Sequence, residues 1–363
     1  MGDVRCRSGA SDGNARYLNE FGPQSMLNGK RATSIDVARL AGVSQSAVSR
    51  TFRQGASVSA TTAARVREAA EKLGYRPNII ARSFNTGQTK IIGLVVSYLE
   101  SPFYSILLET LSRRLQEKGL HILVFLAEKP ISKVSSIVDE FLDYQVDAIV
   151  TASVSLDDKI TRRCEAAGIP IVMLNRSQQG RRVSEVTSDN YSGACDVARH
   201  LASTGRTRIA HIAGWQGAST GVDRTAGFLA GLEESGIKPL AVLGGDYARD
   251  KAVEAARALF QEKTRPDAVF VGSDYMAFAV MDYIRFEVGL RIPEDVAVAG
   301  YDDVPIASWK SYELTTVRQP IDVMVDETVA ILTAQIADLA EVSKVKIKND
   351  LVIRRSTAGD ATR

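Results

Sequence analysis

From Lys90 onward the chain alternates short β-branched and aliphatic runs with amphipathic stretches of helical period, and this alternation limits the fold more than any other feature. Strand candidates are IIGLVV (91–96), HILVFL (121–126), AIVT (148–151), IVML (171–174), RIAHIA (208–213), AVFVG (268–272) and VAVAG (296–300). Helical patterns fall between them, among others at 104–118, 133–143, 190–203, 223–235, 250–262 and 274–288. Continuous apolar strands separated by helices build parallel sheets, because a parallel crossover leaves its helix lying on the sheet face. About ten strands in all divide more readily into two doubly wound lobes than into one long sheet.

The charge divides near the same point. The formal net charge is only +2, yet residues 1–90 hold 14 Lys and Arg against 6 Asp and Glu, and residues 91–363 hold 31 against 37. A basic head on an acidic body predicts a polyanionic partner for the head alone. Residues 1–30 are rich in Gly, Ser, Asn and Arg without apolar period, which predicts a disordered tail. Met26, close ahead of the first patterned segment, offers an alternative translation start. Cys6, Cys164 and Cys195 show no CxxC spacing and cannot all pair, so neither a disulfide framework nor a zinc site is expected. No apolar run approaches a membrane span or a signal peptide. The chain reads as cytoplasmic, without membrane contact.

Between residues 31 and 76 the period is helical. Thr33 or Ser34 can cap a short helix whose stripe is Ile35, Val37, Ala38 and Ala41, with Gly42 as its stop. Ser44 can cap a second helix, SQSAVSRTF, after a turn of about three residues. A third runs from Ser59 to Leu73, with Val66, Ala69, Ala70 and Leu73 on one face and Gly74 behind it. Three short helices with a tight turn between the first two describe a helix-turn-helix.

The run TSIDVARLAGVSQSAVSRTF (33–52), followed by VS at 58–59 and LGYRPN at 73–78, resembles the lactose-repressor (LacI/GalR) family of transcription regulators. It departs from the family pattern chiefly at Ala47, where Thr is usual. The resemblance implies that the second helix enters the major groove of DNA with its N-terminal side chains at base edges. Gln45 and Ser46 are then the readers, and Arg50, one turn on, reaches guanine or phosphate. Ser34, Ser44, Ser49, Arg53 and Ser57 complete the contact set, largely on the backbone. RPNIIARSFNTGQT (76–89) resembles the family's hinge helix, here 77–89, with Pro77 at its start and Gly87 at its end. Its DNA-facing candidates are Asn78, Ala81 and Phe84, the last at a minor-groove wedge position where Leu is usual. A single small head reads too few bases for useful specificity, so the implied partners are palindromic double-stranded operator DNA and a second copy of the chain.

In the body, PIVMLNR (170–176), VTSDN (186–190), HLASTGRTRIAHIAG (200–214), DRTAGF (223–228), SDYMAFA (273–279), IPEDVAVAGYDD (292–303) and LTTVRQP (314–320) follow one another as in the family's effector domain. That domain resembles periplasmic sugar-binding proteins, with a ligand between two lobes at the carboxyl ends of the strands. The implied fold is an N-terminal all-α helix-turn-helix head plus an α/β periplasmic-binding-protein-like body of two doubly wound lobes. The body, 90–363, would bind effector and dimerise.

Arg224 offers a guanidinium fork to paired hydroxyls or a carboxylate. Asp302 offers an acceptor at a strand end, and Asn175 both donor and acceptor. Ser97 and Phe103 follow the first strand, where an aromatic face can stack on a sugar or base ring. Ser273 stands where the family carries Asn, and Asp189 and Asp274 read as braces at helix starts. The implied effector is a small molecule, a carbohydrate by family habit.

Catalysis is not expected. The turn AGWQGASTG (213–221) has the spacing G-x-x-G-x-x-x-G, neither a dinucleotide fingerprint nor a P-loop. His121, His200 and His211 sit in no nucleophile or metal pattern. The expectation is a regulator, repressing by preference, with no catalytic residue, cofactor or metal.

Overall fold

The computed structural model describes residues 32–53, 56–76, 88–97, 99–127, 134–154, 158–178, 183–338 and 341–358. The tail expected at 1–30 and most of the expected hinge helix, with Asn78, Ala81 and Phe84, lie outside the described residues. The chain divides into two units, residues 1–87 and 88–363.

In the first unit, helices α1 (Ser34–Ala41), α2 (Gln45–Thr51) and α3 (Ala60–Lys72) are delimited by local side-chain chemistry. Thr33 opens α1 in a capping box: its hydroxyl accepts from Asp36 N at 3.4 Å, and the Asp36 carboxylate accepts from Thr33 N at 3.0 Å. Gly42 closes α1 at φ 63°, the left-handed conformation that costs glycine least. Ser44 caps α2, accepting from Ala47 N at 3.2 Å, and Ser59 caps α3 at the same distance from Thr62 N. Val37, Ala38, Ala41, Val48, Val66, Ala69 and Ala70 interlock beneath the three helices. Ile35, expected on that stripe, is instead 53% exposed. Ala47 is buried at 8%, so the Thr-to-Ala departure falls on the core side of α2.

The described residues of the second unit hold two six-stranded sheets. Numbered along the chain, the first sheet runs in space Lys344–Ile347 (β11), Ser184–Ser188 (β5), Ile171–Leu174 (β4), Ala148–Ala152 (β3), Ile91–Val96 (β1) and His121–Leu126 (β2), all parallel. The second runs Asp350–Val352 (β12), Thr315–Arg318 (β10), Ala297–Asp302 (β9), Ala268–Val271 (β8), Ile209–Ala213 (β6) and Ala241–Gly244 (β7). It is parallel except for the antiparallel edge pair β10–β12. Among the described residues eight helices connect these strands: α4 (Pro102–Glu117), α5 (Val134–Asp143), α6 (Asp158–Ala166), α7 (Asn190–Ser203), α8 (Ser219–Glu234), α9 (Arg249–Gln261), α10 (Asp274–Tyr283) and α11 (Ile321–Ile336). The helix expected to run unbroken over 274–288 turns into a π turn at Ile284–Val288.

The chain passes between the lobes three times: after β5, after β10, and between β11 and β12. The three crossings are tied together. Ser188 Oγ donates to Gln319 Oε1 at 2.8 Å, Gln319 Nε2 donates to Asp302 Oδ1 at 2.7 Å, and Asn349 Nδ2 reaches Asp189 O at 3.0 Å and the Tyr301 hydroxyl at 2.7 Å. They form the hinge between the lobes.

Helices α7 and α8 approach closely because glycines face the contact. A Cβ at Gly227 would lie 2.0 Å from Tyr191 O, and one at Gly231 would lie 2.6 Å from Cys195 O. Both obstacles are backbone and cannot rotate away. Gly227→Ala is therefore expected to destabilise the body by about 1–3 kcal/mol through forced separation of the helices. Urea denaturation of the full chain measures this, and an unchanged midpoint would contradict the close packing.

Candidate functional site

Two surfaces carry the polar chemistry. On the first unit, α2 buries Ala47 and Val48 and exposes Ser44, Gln45, Ser46, Ser49 and Arg50. Gln45 Nε2 donates to Ser34 Oγ at 3.0 Å, which holds an exposed amide from α2 against the start of α1. The Ser44 and Ser46 hydroxyls lie 2.9 Å apart. Arg53 and Ser57 are exposed beyond the helix end. Residues 32–76 contain seven Lys and Arg against three Asp and Glu, so this unit presents its hydrogen-bonding face in a positive field.

On the second unit, a cleft opens where the carboxyl ends of both sheets meet. Glu100, Ser101, Phe103 and Tyr104 reach it from the segment after β1, and Asn175 and Arg176 from the loop after β4. The other lobe supplies Thr220 and Arg224 from α8, Tyr247 after β7, Ser273 and Tyr275 at the start of α10, and Asp302 at the end of β9. Asn175 (φ 60°) and Asp302 (φ 128°) turn toward the cleft in conformations that L-residues adopt rarely. Tyr247 (φ 60°) does the same, and backbone strain at these three cleft-lining positions marks where the fold aims polar side chains.

Arg224 is 3% exposed and its fork is largely committed within the protein. Nε donates to Asn190 Oδ1 at 2.8 Å, Nη1 donates to Gly272 O at 2.6 Å, and Nη2 lies 3.4 Å from Asp302 Oδ1. The guanidinium also stacks on the Tyr301 ring at 3.6 Å. Arg224 is thus wall and brace at once. Tyr104 receives the Asn175 amide at 3.4 Å, Tyr247 donates to Thr220 Oγ1 at 3.0 Å, and Tyr275 donates to Glu100 Oε2 at 3.1 Å. Three phenols and Phe103 give the cleft aromatic faces with polar rims, chemistry suited to a flat or polyhydroxylated ring.

Of the six ligand candidates, Phe103, Asn175, Arg224, Ser273 and Asp302 line the cleft, whereas Ser97 does not. The Ser97 hydroxyl lies 2.7 Å from Ser153 Oγ and its amide donates to the same oxygen at 3.0 Å, which ties the end of β1 to the end of β3. Ser273 caps α10, accepting from Met276 N at 3.4 Å. Asp189 caps α7, accepting from Ser192 N at 3.3 Å. Asp274 braces a different element: it accepts from Val304 N at 3.0 Å and Thr316 Oγ1 at 2.6 Å, fixing the loop after β9.

Tyr104, Arg176, Thr220, Tyr247 and Tyr275 were not among the sequence candidates. Arg176 and Tyr275 stand inside motifs already singled out, and Thr220 inside the glycine-bearing turn. Tyr247 had no signal, because β7, which carries it to the cleft, is a half-exposed strand of four residues. The turn's glycines make room: a Cβ at Gly214 would lie 2.1 Å from the Tyr247 ring, and one at Gly221 would lie 2.2 Å from Trp215 O.

Burial lowers the His211 pKa to about 4, and the neutral ring bonds Phe270 O at 3.0 Å and stacks on the Phe270 ring. Burial pushes the Cys164 thiol up to about 11, away from nucleophilic use. Among the described residues no cluster of His, Cys, Asp and Glu fits a metal ion, and no helix is long and apolar enough to cross a membrane.

Comparison with known proteins agrees with both surfaces. Residues 35–78 match the family described as bacterial regulatory proteins, lacI family, and residues 198–357 match a periplasmic binding protein-like domain. The HTH-type transcriptional regulator CelR of Thermobifida fusca is 33% identical, with 90% of this chain and 98% of that protein covered. The HTH-type transcriptional repressor PurR of Pectobacterium carotovorum subsp. carotovorum (strain PC1) is 30% identical, with 90% and 97% covered. Among solved structures, the lac repressor dimer bound to operator and the anti-inducer ONPF matches with a TM-score of 0.82 at 28% identity, covering 91% of this chain and all (100%) of that one. A CelR–cellobiose complex matches with a TM-score of 0.68 at 32% identity, covering 90% and 100%.

Asp274 and Asp302 sit side by side under the cleft and share a titration. Burial, reinforced by the Asp302 carboxylate, pushes Asp274 up to about 8. Burial raises Asp302 too, but Arg224 and Gln319 oppose it there, so the proton resides on Asp274. A carboxyl raised in the folded state adds stability in full below its usual value of 3.8, and loses it as pH rises through about 8. Asp274→Asn keeps an acceptor without the charge. Its melting temperature relative to the parent is expected to climb between about pH 5 and about pH 9; a pH-independent difference would place the charge elsewhere.

Proposed function

Since the chain belongs to the lacI family of bacterial regulatory proteins, we propose that α2 reads double-stranded operator DNA and that a small ligand in the cleft switches this binding. The observation that carries the reading is the exposed face of α2, where a Ser-capped helix in a basic unit presents Gln45, Ser46 and Arg50 over a closed apolar core. Gln45 and Ser46 contact base edges, Arg50 contacts guanine or phosphate, and Ser34, Ser44, Ser49, Arg53 and Ser57 contact the backbone. Segment 77–89 acts as a hinge helix, with Asn78, Ala81 and Phe84 at the minor groove and the Phe84 ring as the wedge. Head 31–76 and body 90–363 flank it. Two copies bind a palindromic site in the cytoplasm and repress transcription. Two similar solved structures, the lac repressor dimer on operator and a CelR–cellobiose complex, support this assignment.

In the cleft, a polyhydroxylated ligand stacks on Phe103 and the tyrosines, takes hydrogen bonds from Arg224 and Asn175 and donates one to Asp302. Ser273, occupied as a cap, contributes a hydroxyl edge. The ligand is a carbohydrate by the chemistry of its walls.

Operator fragments selected from random DNA, with affinities measured for the parent and two variants, separate the two roles. Arg50→Ala is expected to cost about 1–3 kcal/mol of operator affinity while the sugar-induced rise in melting temperature persists. Asn175→Ala, which leaves the Arg224–Asp302 contact intact, is expected to retain operator affinity and weaken the sugar response. Parent-like operator binding by Arg50→Ala would remove α2 from the interface. Phe84→Ala is expected to reduce operator bending with its salt dependence unchanged, since no charge is lost; normal bending would take Phe84 off the DNA.

A further inference from the structure

Arg176 is the one buried charge that the body leaves without a counter-charge among the described residues. Asp302 faces Arg224 at 3.4 Å, Glu185 faces Lys344 at 3.3 Å, and Asp267 faces Arg208 at 3.6 Å. Asp274 accepts from Val304 N and Thr316 Oγ1, and burial raises its carboxyl far above the ordinary range. Arg176 is only 2% exposed, lines the cleft, and has neither a carboxylate within ion-pair distance nor a hydrogen-bond partner for Nε and Nη1. A guanidinium does not escape this cost by deprotonating. Removing an ion from water is offset only when an opposite charge or strong acceptors take water's place.

The segment that carries Arg176 is pinned to the start of a helix on the other lobe, for Ser177 N donates to Ser219 Oγ at 3.0 Å. Ser219 opens α8, which is 16 residues long, has no side-chain cap at Ala218 and no acidic residue in its first turn. Its second position is Thr220, which faces the cleft. Uncapped amides and the positive end of the helix dipole therefore lie beside an unpaired guanidinium. Next to them, Asn175 Oδ1 is buried without a donor. The other cleft carboxylates do not answer this charge: Asp302 is held by Arg224 and Gln319, and Glu100 is exposed and accepts from Tyr275 at 3.1 Å.

We propose that the effector is anionic, with a phosphate or carboxylate seated between Arg176 and the first turn of α8 and a neighbouring hydroxyl donated to Asn175. This rests on the cleft being the effector site. The ligand is then a phosphorylated sugar or a sugar acid, whose anionic group supplies the counter-charge that Arg176 lacks among the described residues.

The test titrates the full-length protein with inorganic phosphate, glucose 6-phosphate, gluconate and glucose, each against chloride at matched ionic strength, and reads the melting temperature. Phosphate and at least one of the two anionic sugars are expected to raise it at millimolar concentration. Glucose 6-phosphate acting alone assigns a phosphate, and gluconate alone a carboxylate. Arg176→Gln is expected to abolish the rise and to melt, without anion, no lower than the parent, because it removes an unpaired ion. Absence of any anion-specific rise overturns the proposal, as does an equal rise in parent and Arg176→Gln. Should Arg176→Gln not fold, Arg176→Lys replaces it: a phosphate requirement roughly tenfold higher is expected from losing the planar fork, and an unchanged requirement overturns the assignment. The neutral-sugar arm keeps the two readings apart. A response to neutral sugars only leaves the cleft as effector site and removes the anion, whereas no response to neutral or anionic sugars removes the effector site itself.

Discussion

The buried contact between Arg224 and Asp302 is the interaction on which the body's organisation rests. It joins α8 to the end of β9, and its satellites extend that joint. Asn190 brings in the start of α7, Gly272 the end of β8, Gln319 the second crossing, and Tyr301 a stacking face beneath the guanidinium. Removing one partner of such a pair costs about 3–5 kcal/mol, because the other is left charged in a dry site. Every crossing between lobes lies within one or two hydrogen bonds of this pair. The hinge and the wall of the cleft are thus a single polar network, and a ligand that touches the wall acts on the hinge.

That coupling gives the cleft its mechanical meaning. The lobes share an apolar core cluster, and around the cleft they meet through hydrogen bonds, among them Ser177 to Ser219 and Tyr275 to Glu100. Those polar contacts at the cleft are ones that a ligand can complete or replace. A cleft holding one fully paired arginine and one unpaired arginine is asymmetric: the first holds the fold, and the second is open to a partner.

Much of this was legible in the residue order. The caps Thr33, Ser44 and Ser59 and the stop Gly42 work through neighbours no more than four positions away, so their roles follow from spacing alone. Six of the seven strand candidates are apolar runs buried on both faces, the seventh, His121–Leu126, is a half-exposed edge strand, and each lies where expected to within two residues. Arg224, Asp302 and Asn175 were found because they occupy motifs at strand or helix ends. The strands that escaped notice are polar or short, as in SEVTS, KVKI and DLV. They become strands because a neighbouring edge supplies their hydrogen bonds. Ser97 illustrates the converse, for its position after a strand suggested the cleft, while a bond to Ser153, 56 residues away, turned it aside.

The sequence by itself determined the helix-turn-helix, the strand–helix alternation, the two-lobed body and the family, because each is written in short-range periodicity, capping and ordered motifs. Tertiary structure alone decided which charges are paired. Arg176 and Arg224 are the same residue type in equally recognisable motifs. One lies against Asp302, 78 positions along the chain, and the other meets no carboxylate among the described residues. Pairing depends on distances across a folded interior and on the absence of water there, and neither is encoded in any local pattern.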